Sequence, residues 1–259
     1  MRGPLDASGD ETALDDPALV DARARIAAAG SIAVLTGAGI SADSNIPTFR
    51  GADGLWRTHR AEELATPDAF ARNPRLVWEW YDWRRGLIAS TQPNAAHHAM
   101  AALERRRPQC TLITQNVDGL HAAAGSRRLL ELHGNIWWMR CTACGARVDD
   151  RRVPLPLDEG LPVCRDCRGL LRPDIVWFGE SLEPSVFQAA VDVAAGSVVF
   201  LVIGTSGVVQ PAASLASVAR EGGSWVVEVN PQPSDNPAIH CRLTGRAADV
   251  VPLLLGGIG

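Results

Sequence analysis

The sequence predicts an α/β fold: a Rossmann-like parallel sheet with a smaller inserted zinc-binding domain. Apolar, strand-like runs alternate along the chain with helical stretches, and this alternation is typical of parallel sheets. The first of these runs passes directly into the glycine turn Gly37-Ala38-Gly39. Four cysteines form two Cys-x-x-Cys pairs, which is a metal-binding pattern. A chain of 259 residues can hold one large domain with a smaller insertion.

Each element follows from a local signal. Residues 1–16 are acidic and nearly free of large apolar side chains, so we expect a loosely ordered leader before a folded domain over 17–255. Buried-strand patterns occur at 32–35, 111–115, 198–203 and 225–229. Candidate helices lie at 17–29, closed by Gly30; at 74–90, opened by Pro74; at 94–106, capped by Asn94; and at 211–221, opened by Pro211.

The composition bounds the classes of function. The net charge of −4 gives no electrostatic reason to expect a nucleic-acid partner, and no apolar run approaches the ~20 residues of a membrane helix. The start of the chain lacks a secretory pattern, so we expect a cytoplasmic monomer without membrane partners. All 25 basic residues are arginines, which coding bias explains more readily than function does.

The cysteine spacing predicts a zinc site. Cys141 and Cys144 are followed, after nineteen residues, by Cys164 and Cys167. Four thiolates at this spacing can converge on Zn²⁺ as a closed structural site, within a module that we predict at about 137–180. A disulfide framework is the alternative, and a reducing compartment disfavours it. His133, eight positions ahead of Cys141, is then free for another role, although a lone histidine is by default structural.

Polar residues follow four of the predicted strands. They are Thr36 with the glycine turn, the run 115–118, the run 204–206, and Asn230 with Pro231. Ligands of open parallel sheets bind at the carboxyl ends of strands, so we expect one crevice there, and glycines permit the close approach of a pyrophosphate. A dehydrogenase would carry an acidic residue roughly 20 residues beyond the glycines after a second strand. Asp53 lies instead in a loop-like segment, so NAD is compatible but hydride transfer is not indicated.

Seven motifs in order resemble the sirtuins, the NAD-dependent protein deacylases. They are GAGISADSNIPTFRGADGLW, TQNVDGLH, ELHGN, the two cysteine pairs, IVWFGE, IGTSGVVQPA and VVEVNP, over about residues 20–255. Asn45, where the family usually has Gly, and Asp174 are the departures, and Asn tolerates a positive φ. The resemblance implies that NAD⁺ is consumed: the acyl oxygen of a modified lysine attacks the anomeric carbon of the nicotinamide ribose. Nicotinamide leaves, and the acyl group ends on ADP-ribose.

The resemblance also implies the roles of individual residues. His133 would be the general base that activates a ribose hydroxyl, a task that suits an imidazole with a pKa of ~6.5. Asn116 would orient the ribose and water, whereas in isolation it would be read as a turn residue. The implied cofactor-binding residues, besides Asn116, are Gly37, Ala38, Gly39, Ser41, Asp43, Ile46, Phe49, Arg50, Trp56, Gln115, Val117, Asp118, Gly204, Thr205, Ser206, Asn230, Pro231, Gln232 and Ala247.

The acyl-lysine substrate has its own predicted residues. Tyr81 and Arg84 are three residues apart, so on a helix they share a face. In an arbitrary pair of this kind, the tyrosine more often packs against the core and the arginine faces water. With Ala65, the pair resembles the sirtuin subgroup that removes acidic acyl groups, which implies a preference for succinyl- and malonyl-lysine over acetyl-lysine. The segment with Val176, Phe178, Gly179 and Glu180 would bind the peptide backbone in an extended conformation.

Two rival functions remain open at this point. A non-catalytic zinc-ribbon binding module would not need so many catalytic-type motifs. An NAD-dependent protein ADP-ribosyltransferase is harder to separate, because both reactions begin by cleaving the nicotinamide bond.

Overall fold

The computed structural model describes residues 14–46, 55–56 and 59–258. The strands are β1 (Ile32–Thr36), β2 (Leu55–Trp56), β3 (His59–Arg60), β4 (Cys110–Thr114), β5 (Leu129–Glu131), β6 (Gly134–Cys141), β7 (Arg147–Asp149), β8 (Leu171–Ile175), β9 (Val199–Ile203), β10 (Trp225–Asn230) and β11 (Cys241–Thr244). The helices are α1 (Pro17–Ala28), α2 (Ala38–Ala42), α3 (Ala61–Leu64), α4 (Pro67–Arg72), α5 (Pro74–Ala89), α6 (Ala95–Arg106), α7 (Leu120–Ala123), α8 (Pro184–Ala195), α9 (Leu215–Glu221) and α10 (Ala247–Leu255).

A six-stranded sheet forms the larger domain, in the order β11-β10-β9-β1-β4-β5. Every pairing in it is parallel, as the alternation of strands and helices predicted. The chain leaves the central strand β1 first toward β4 and β5, and later returns to β1's other side with β9. The strand order therefore reverses at β1, and this reversal is where open α/β sheets place their ligands.

The sheet is covered on both faces because successive residues of a strand point to opposite sides. Val34 and Leu201 pack into one cluster with α1, α6 and α10, whereas Leu35 and Phe200 pack into a second cluster with α8 and α9. All five residues of β1 and all five of β9 are buried, which is why these strands are continuous apolar runs in the sequence.

A second, smaller sheet lies in the chain between β5 and β9. Its strands are antiparallel and stand in the order β7-β6-β8. Its long strand β6 begins at Gly134, directly after His133, and ends at Cys141 of the first cysteine pair. On the side of β6 opposite β7, Gly134 pairs with Ile175, the last residue of β8. Together with α4 and α5, these strands form a third hydrophobic cluster. The inserted zinc-binding domain predicted from the sequence is thus a β6-β8 ribbon with the cysteines at its far end.

The predicted helices agree with the structure except for one. Residues 211–221 are not a single helix: Ala212–Ser214 form a 3₁₀ turn, and α9 begins only at Leu215. The Ser214 backbone N–H and hydroxyl both donate to the Pro211 carbonyl, at 3.0 and 2.8 Å, and these three-residue contacts close the tighter turn. Within the part of the chain that the structure describes, no helix is long and apolar enough to cross a bilayer.

Candidate active site

The polar ends of the central strands meet in one crevice. The Gln115 side chain donates to the Thr205 hydroxyl at 3.0 Å, which joins the end of β4 to the end of β9. The Asn230 side chain donates to the Thr205 carbonyl at 2.9 Å and adds the end of β10. The Asn116 side chain donates to the Gly37 carbonyl at 3.0 Å and adds the end of β1. The convergence predicted from the sequence is present as a hydrogen-bonded network.

The glycine turn after β1 lies against the loop after β9. The Gly39 N–H donates to the Gly204 carbonyl at 2.7 Å, and a Cβ built at Gly39 would stand 2.7 Å from that oxygen. Gly204 has a φ of +60°, and a Cβ there would stand 2.5 Å from the Ile40 nitrogen. Only glycine permits this approach of two backbones. The exposed Ser206 and the half-buried Ala38 line the same mouth, which fits a cradle for phosphates.

Asn116, Ser41 and Asp118 form a buried polar triplet. The Asn116 side chain donates to the Ser41 hydroxyl at 3.1 Å, and that hydroxyl donates to Asp118 Oδ2 at 2.7 Å. The other Asp118 oxygen accepts from the Leu120 N–H at 2.8 Å. Burial raises the pKa of the Asp118 carboxyl, against the opposing effect of its hydrogen bonds and of the nearby Arg84. Ile46, five residues after Ser41, and Val117, between Asn116 and Asp118, are also buried. The structure therefore holds the Asp118 carboxyl in a fixed position among the residues that the resemblance implies for cofactor binding.

His133 lies at the junction of the two domains. Its Nδ1 is 2.9 Å from the Gln115 carbonyl, so Nδ1 carries the proton and Nε2 keeps a free lone pair. Burial lowers the pKa of His133 below the usual 6.5, and the bond to Gln115 opposes this effect. The imidazole is thus neutral at pH 7 and can accept a proton. Its own carbonyl accepts from the Val176 N–H at 2.9 Å.

Two buried histidines lie beneath this crevice. His121 Nε2 is 2.9 Å from the Thr36 hydroxyl, which donates to the Thr114 hydroxyl at 2.8 Å. The His121 ring stands 4.8 Å from the ring of His97. Burial lowers the pKa of His97 from 6.5 to about 4 and that of His121 well below 6.5. No sequence pattern predicts this pair, because it joins residues of α6 and α7 that are 24 positions apart along the chain.

Tyr81 and Arg84 share a face of α5, as their spacing predicted. The Tyr81 hydroxyl accepts from the Trp177 indole N–H at 2.8 Å, and burial raises the pKa of the phenol. The Arg84 guanidinium lies 5.3 Å from the centre of the Trp80 ring. Burial lowers the pKa of Arg84, and the nearby Tyr81 and Asp118 oppose that effect. Arg84 therefore stands within electrostatic range of both the phenol and the Asp118 carboxyl.

Arg85, the next residue, points elsewhere. Its side chain is fully buried, with a 3.6 Å ion pair to Asp150 and a hydrogen bond to the Arg152 carbonyl at 3.2 Å. It also stands 5.2 Å from the centre of the Trp137 ring. Arg85 thus anchors α5 to the inserted domain, which agrees with the expectation that Arg84 is the arginine for the substrate.

The segment after β8 is tied to the same pocket. The Phe178 N–H donates to the Ala65 carbonyl at 2.9 Å, and the Phe178 side chain is half exposed. Gly179 is exposed with a φ of +87°, so the chain turns there. Glu180 accepts the Trp177 N–H at 2.9 Å. Residues 176–180 are therefore not extended throughout, because the chain turns at Phe178 and Gly179, and their role in binding the peptide backbone stays a prediction.

The far end of the crevice is built around Asp43. Asp43 accepts from the Arg246 side chain at 2.8 Å and from the Ala248 N–H at 3.1 Å, which fixes the start of α10 at Ala247. Pro231 and Gln232 are exposed after β10. Asp43, Pro231, Gln232 and Ala247, which the resemblance implies for cofactor binding, thus lie on the elements at this end. Phe49, Arg50 and the Trp56 side chain lie outside the described residues.

Asn45 bears on the loop that departs from the family pattern. It has a φ of +62°, the left-handed conformation that glycine adopts easily and that Asn tolerates best among other residues. Asp174, the other departure, forms ion pairs with Arg147 at 2.5 Å and Arg140 at 3.5 Å. Neither departure disturbs the site.

The four cysteines form a metal-binding cluster. Their ligand atoms all lie within 4.8 Å of one another, with Sγ–Sγ distances of 3.4 Å for Cys141–Cys167 and 3.7 Å for Cys144–Cys164. Four sulfurs around a zinc ion at ~2.3 Å stand about 3.8 Å apart, so the set fits tetrahedral Zn²⁺. The distances exclude disulfides, whose sulfurs are ~2.05 Å apart. One structural Zn²⁺ fits this cluster.

Comparison with known proteins supports a family assignment. The model of the Sir2 family matches residues 37–211. The NAD-dependent protein deacylase of Aquifex aeolicus (strain VF5) is 57% identical over 202 residues, covering 78% of this chain and 84% of that protein. A solved Sir2 homologue in complex with NAD has a TM-score of 0.82 and 42% identity, covering 99% of this chain and 96% of the other. A mutant Sir2 homologue with 2'-O-acetyl ADP ribose has a TM-score of 0.81 and 44% identity, covering 95% of each chain.

Proposed function

Because the chain belongs to the Sir2 family, we propose that it is an NAD-dependent protein-lysine deacylase whose preferred substrates carry acidic acyl groups. Its substrates would be succinyl- and malonyl-lysine in proteins or peptides, with weaker activity toward acetyl-lysine. NAD⁺ is the co-substrate, and the products are nicotinamide, O-acyl-ADP-ribose and free lysine. Deacylation rests on the family, whereas the acyl preference rests on the pocket of this chain.

His133 is the base of the proposed reaction. Its Nδ1 proton is held by the Gln115 carbonyl at 2.9 Å, so Nε2 is the atom that takes a proton from a ribose hydroxyl. The lowered pKa of His133 keeps the imidazole neutral at pH 7. Asn116 supports the same end of the crevice by holding Gly37 and Ser41 at fixed distances, 3.0 and 3.1 Å.

The observation that carries the acyl preference is the pairing of Tyr81 and Arg84 in one pocket. A carboxylate at the end of an acyl chain would receive charge-assisted hydrogen bonds from the guanidinium and one from the phenol. Burial lowers the pKa of Arg84, and the nearby Tyr81 and Asp118 oppose that effect, so negative charge beside this guanidinium is favourable. A substrate carboxylate would add such a charge, and an acetyl group would not. Ala65 is small and buried, and it leaves room for the longer acyl chain.

The experiment that tests the function measures kcat/KM with NAD⁺ and peptides carrying succinyl-, malonyl-, acetyl- or fatty-acyl-lysine, and identifies products by mass spectrometry. O-acyl-ADP-ribose with the highest kcat/KM on succinyl or malonyl peptides is the expected result. ADP-ribose linked to protein would instead indicate the transferase alternative. Preference for acetyl or fatty-acyl peptides would refute the acyl assignment alone.

The Arg84→Met variant tests the pocket directly. The ratio of kcat/KM for succinyl over acetyl peptide should fall roughly 10- to 100-fold, the scale of a charge-assisted hydrogen bond at ~1.5–3 kcal/mol. Arg72→Met, at an exposed position of the neighbouring helix α4, is the matched control and should keep the wild-type ratio. An Arg84→Met enzyme with the wild-type ratio would show that the guanidinium does not read the acyl group.

A monomeric state and a cytoplasmic location are further proposals. The location rests on the cysteine cluster, because zinc binding needs reduced thiolates and the cytoplasm keeps thiols reduced. Light scattering of the purified chain checks the first proposal.

A further inference from the structure

The Tyr81 hydroxyl accepts a hydrogen bond from within the protein, while its own O–H remains to donate. It accepts the Trp177 indole N–H at 2.8 Å, and both side chains are only 2% exposed. A phenol has one O–H to donate, and an indole N–H can only donate. The geometry of this bond therefore turns the phenolic proton away from Trp177.

Trp177 is itself held on several sides. Its backbone N–H donates to Glu180 Oε2 at 2.9 Å, and its ring stands 5.4 Å from the ring of Phe70. The Arg172 guanidinium carbon lies 3.4 Å from the centre of the Trp177 ring, a close cation–π contact. The indole consequently has little freedom to rotate away from Tyr81.

Arg172 is fixed in turn by a two-pronged ion pair. Its Nη1 and Nη2 donate to the two Glu180 oxygens at 2.6 and 2.8 Å, and Nη2 also donates to the Ile175 carbonyl at 2.9 Å. Arg172 is only 9% exposed, whereas the Glu180 side chain is 23% exposed, so the pair is partly shielded from water. The side chains of Arg172, Glu180, Trp177 and Tyr81 form one continuous chain of contacts, which we name the Trp177 network.

We propose that Trp177 is a positioning residue that fixes the rotation of the Tyr81 hydroxyl, so that the phenolic proton is directed toward the carboxylate end of an acyl group. Arg172 and Glu180 hold Trp177 for this purpose. The proposal rests on the proposed function, because it deepens the recognition of acidic acyl groups. It adds a specificity-determining residue that does not itself need to touch the substrate.

The network also joins acyl recognition to peptide recognition. Trp177 lies between Val176 and Phe178, whose backbones are bound to His133 and Ala65. The Trp177 indole is 2% exposed and meets Tyr81, whereas the Phe178 side chain is half exposed. The segment proposed to bind the peptide thus also carries Trp177, the residue proposed to orient the Tyr81 hydroxyl.

The first test uses the fact that Tyr81 is the single tyrosine of the chain. Labelling with tyrosine carrying ¹³C at Cζ gives one NMR signal, whose chemical shift responds to hydrogen bonding of the hydroxyl. Trp177→Phe keeps an aromatic ring but removes the N–H, and it should move this signal. Trp138→Phe, which changes a tryptophan of β6 near Arg147, is the control and should leave the signal in place. An unmoved signal in Trp177→Phe would overturn the positioning of Tyr81.

The second test is kinetic. Trp177→Phe should lower the ratio of kcat/KM for succinyl over acetyl peptide by about 3- to 10-fold, mainly through KM for the peptide, the scale of one neutral hydrogen bond. Tyr81→Phe added to Trp177→Phe should cause little further change in the ratio, because the two residues act through one hydroxyl. Full additivity of the two substitutions would contradict the network. If Trp177→Phe moves the NMR signal but the wild-type enzyme prefers acetyl-lysine, the proposed acyl preference is refuted and the positioning of Tyr81 is not.

Discussion

Mild acid should destabilise this fold through its buried histidine pair. His97 is fully buried, and its pKa is lowered to about 4, whereas an unfolded chain has its histidines near 6.5. The folded state therefore binds fewer protons than the unfolded state between these two values. Stability that is present above pH 6.5 is lost as the pH falls from about 6.5 toward about 4.

The magnitude follows from the two pKa values. At pH 5 the unfolded histidine is almost fully protonated and the folded one almost fully neutral, so linkage predicts a loss of ~2 kcal/mol relative to pH 7 from His97 alone. His121 acts in the same direction, because burial lowers its pKa as well. Asp118 and Glu131 act in the opposite direction, since their raised pKa values favour the folded state in acid. A variant of His97 separates its share from theirs.

His97→Gln is that variant. His97 is the third residue of a capping box in which its Nδ1 receives the Asn94 N–H at 3.3 Å, and Gln is a natural residue for this position. Urea unfolding at pH 7 and pH 5 should show a smaller stability loss in His97→Gln than in wild type, by ~2 kcal/mol. His98→Gln, on the exposed side of the same helix, should stay close to wild type, because burial lowers the pKa of His97 more than the charge of His98 does. Parallel pH dependences of wild type and His97→Gln would refute the reasoning.

Three further substitutions test the site. His133→Ala should lower kcat on the order of 10²- to 10⁴-fold while the protein keeps one zinc ion and its circular dichroism spectrum, and an active variant that has lost its metal would reverse the assigned roles. Cys141→Ser should unfold or aggregate the protein because structural zinc contributes to folding free energy, which metal analysis and thermal melting would check; a soluble, active, metal-free variant would contradict this. Gly39→Ala should raise KM for NAD⁺ and cost ~1–3 kcal/mol of stability, because its Cβ would meet the Gly204 oxygen at 2.7 Å. Gly30→Ala, where nothing lies within 4 Å, is the control, and equal effects of the two would refute the steric argument.

The sheet could be read from the sequence because its strands are buried on both faces. Runs such as 32–35 and Val199–Ile203 are continuously apolar, and the polar residues that follow them mark where each strand ends. The predicted start of the helix at 211–221 was wrong, because a proline suits the start of a 3₁₀ turn as well as that of an α-helix. Local patterns could not decide between the two.

The parts of the site that the sequence did not reveal depend on long-range packing. Trp177 stands within a motif that was recognised, yet its partner Tyr81 is 96 residues away, and only the folded chain shows that the indole meets the phenol. The same holds for His97 and His121, which no motif joins.

The β6-β8 ribbon ties the base to the substrate. Gly134 pairs with Ile175, and the adjoining His133 carbonyl accepts the Val176 N–H at 2.9 Å, so backbone hydrogen bonds join His133 to the start of the segment after β8. A change in the angle between the two domains would therefore move His133 and Val176 together.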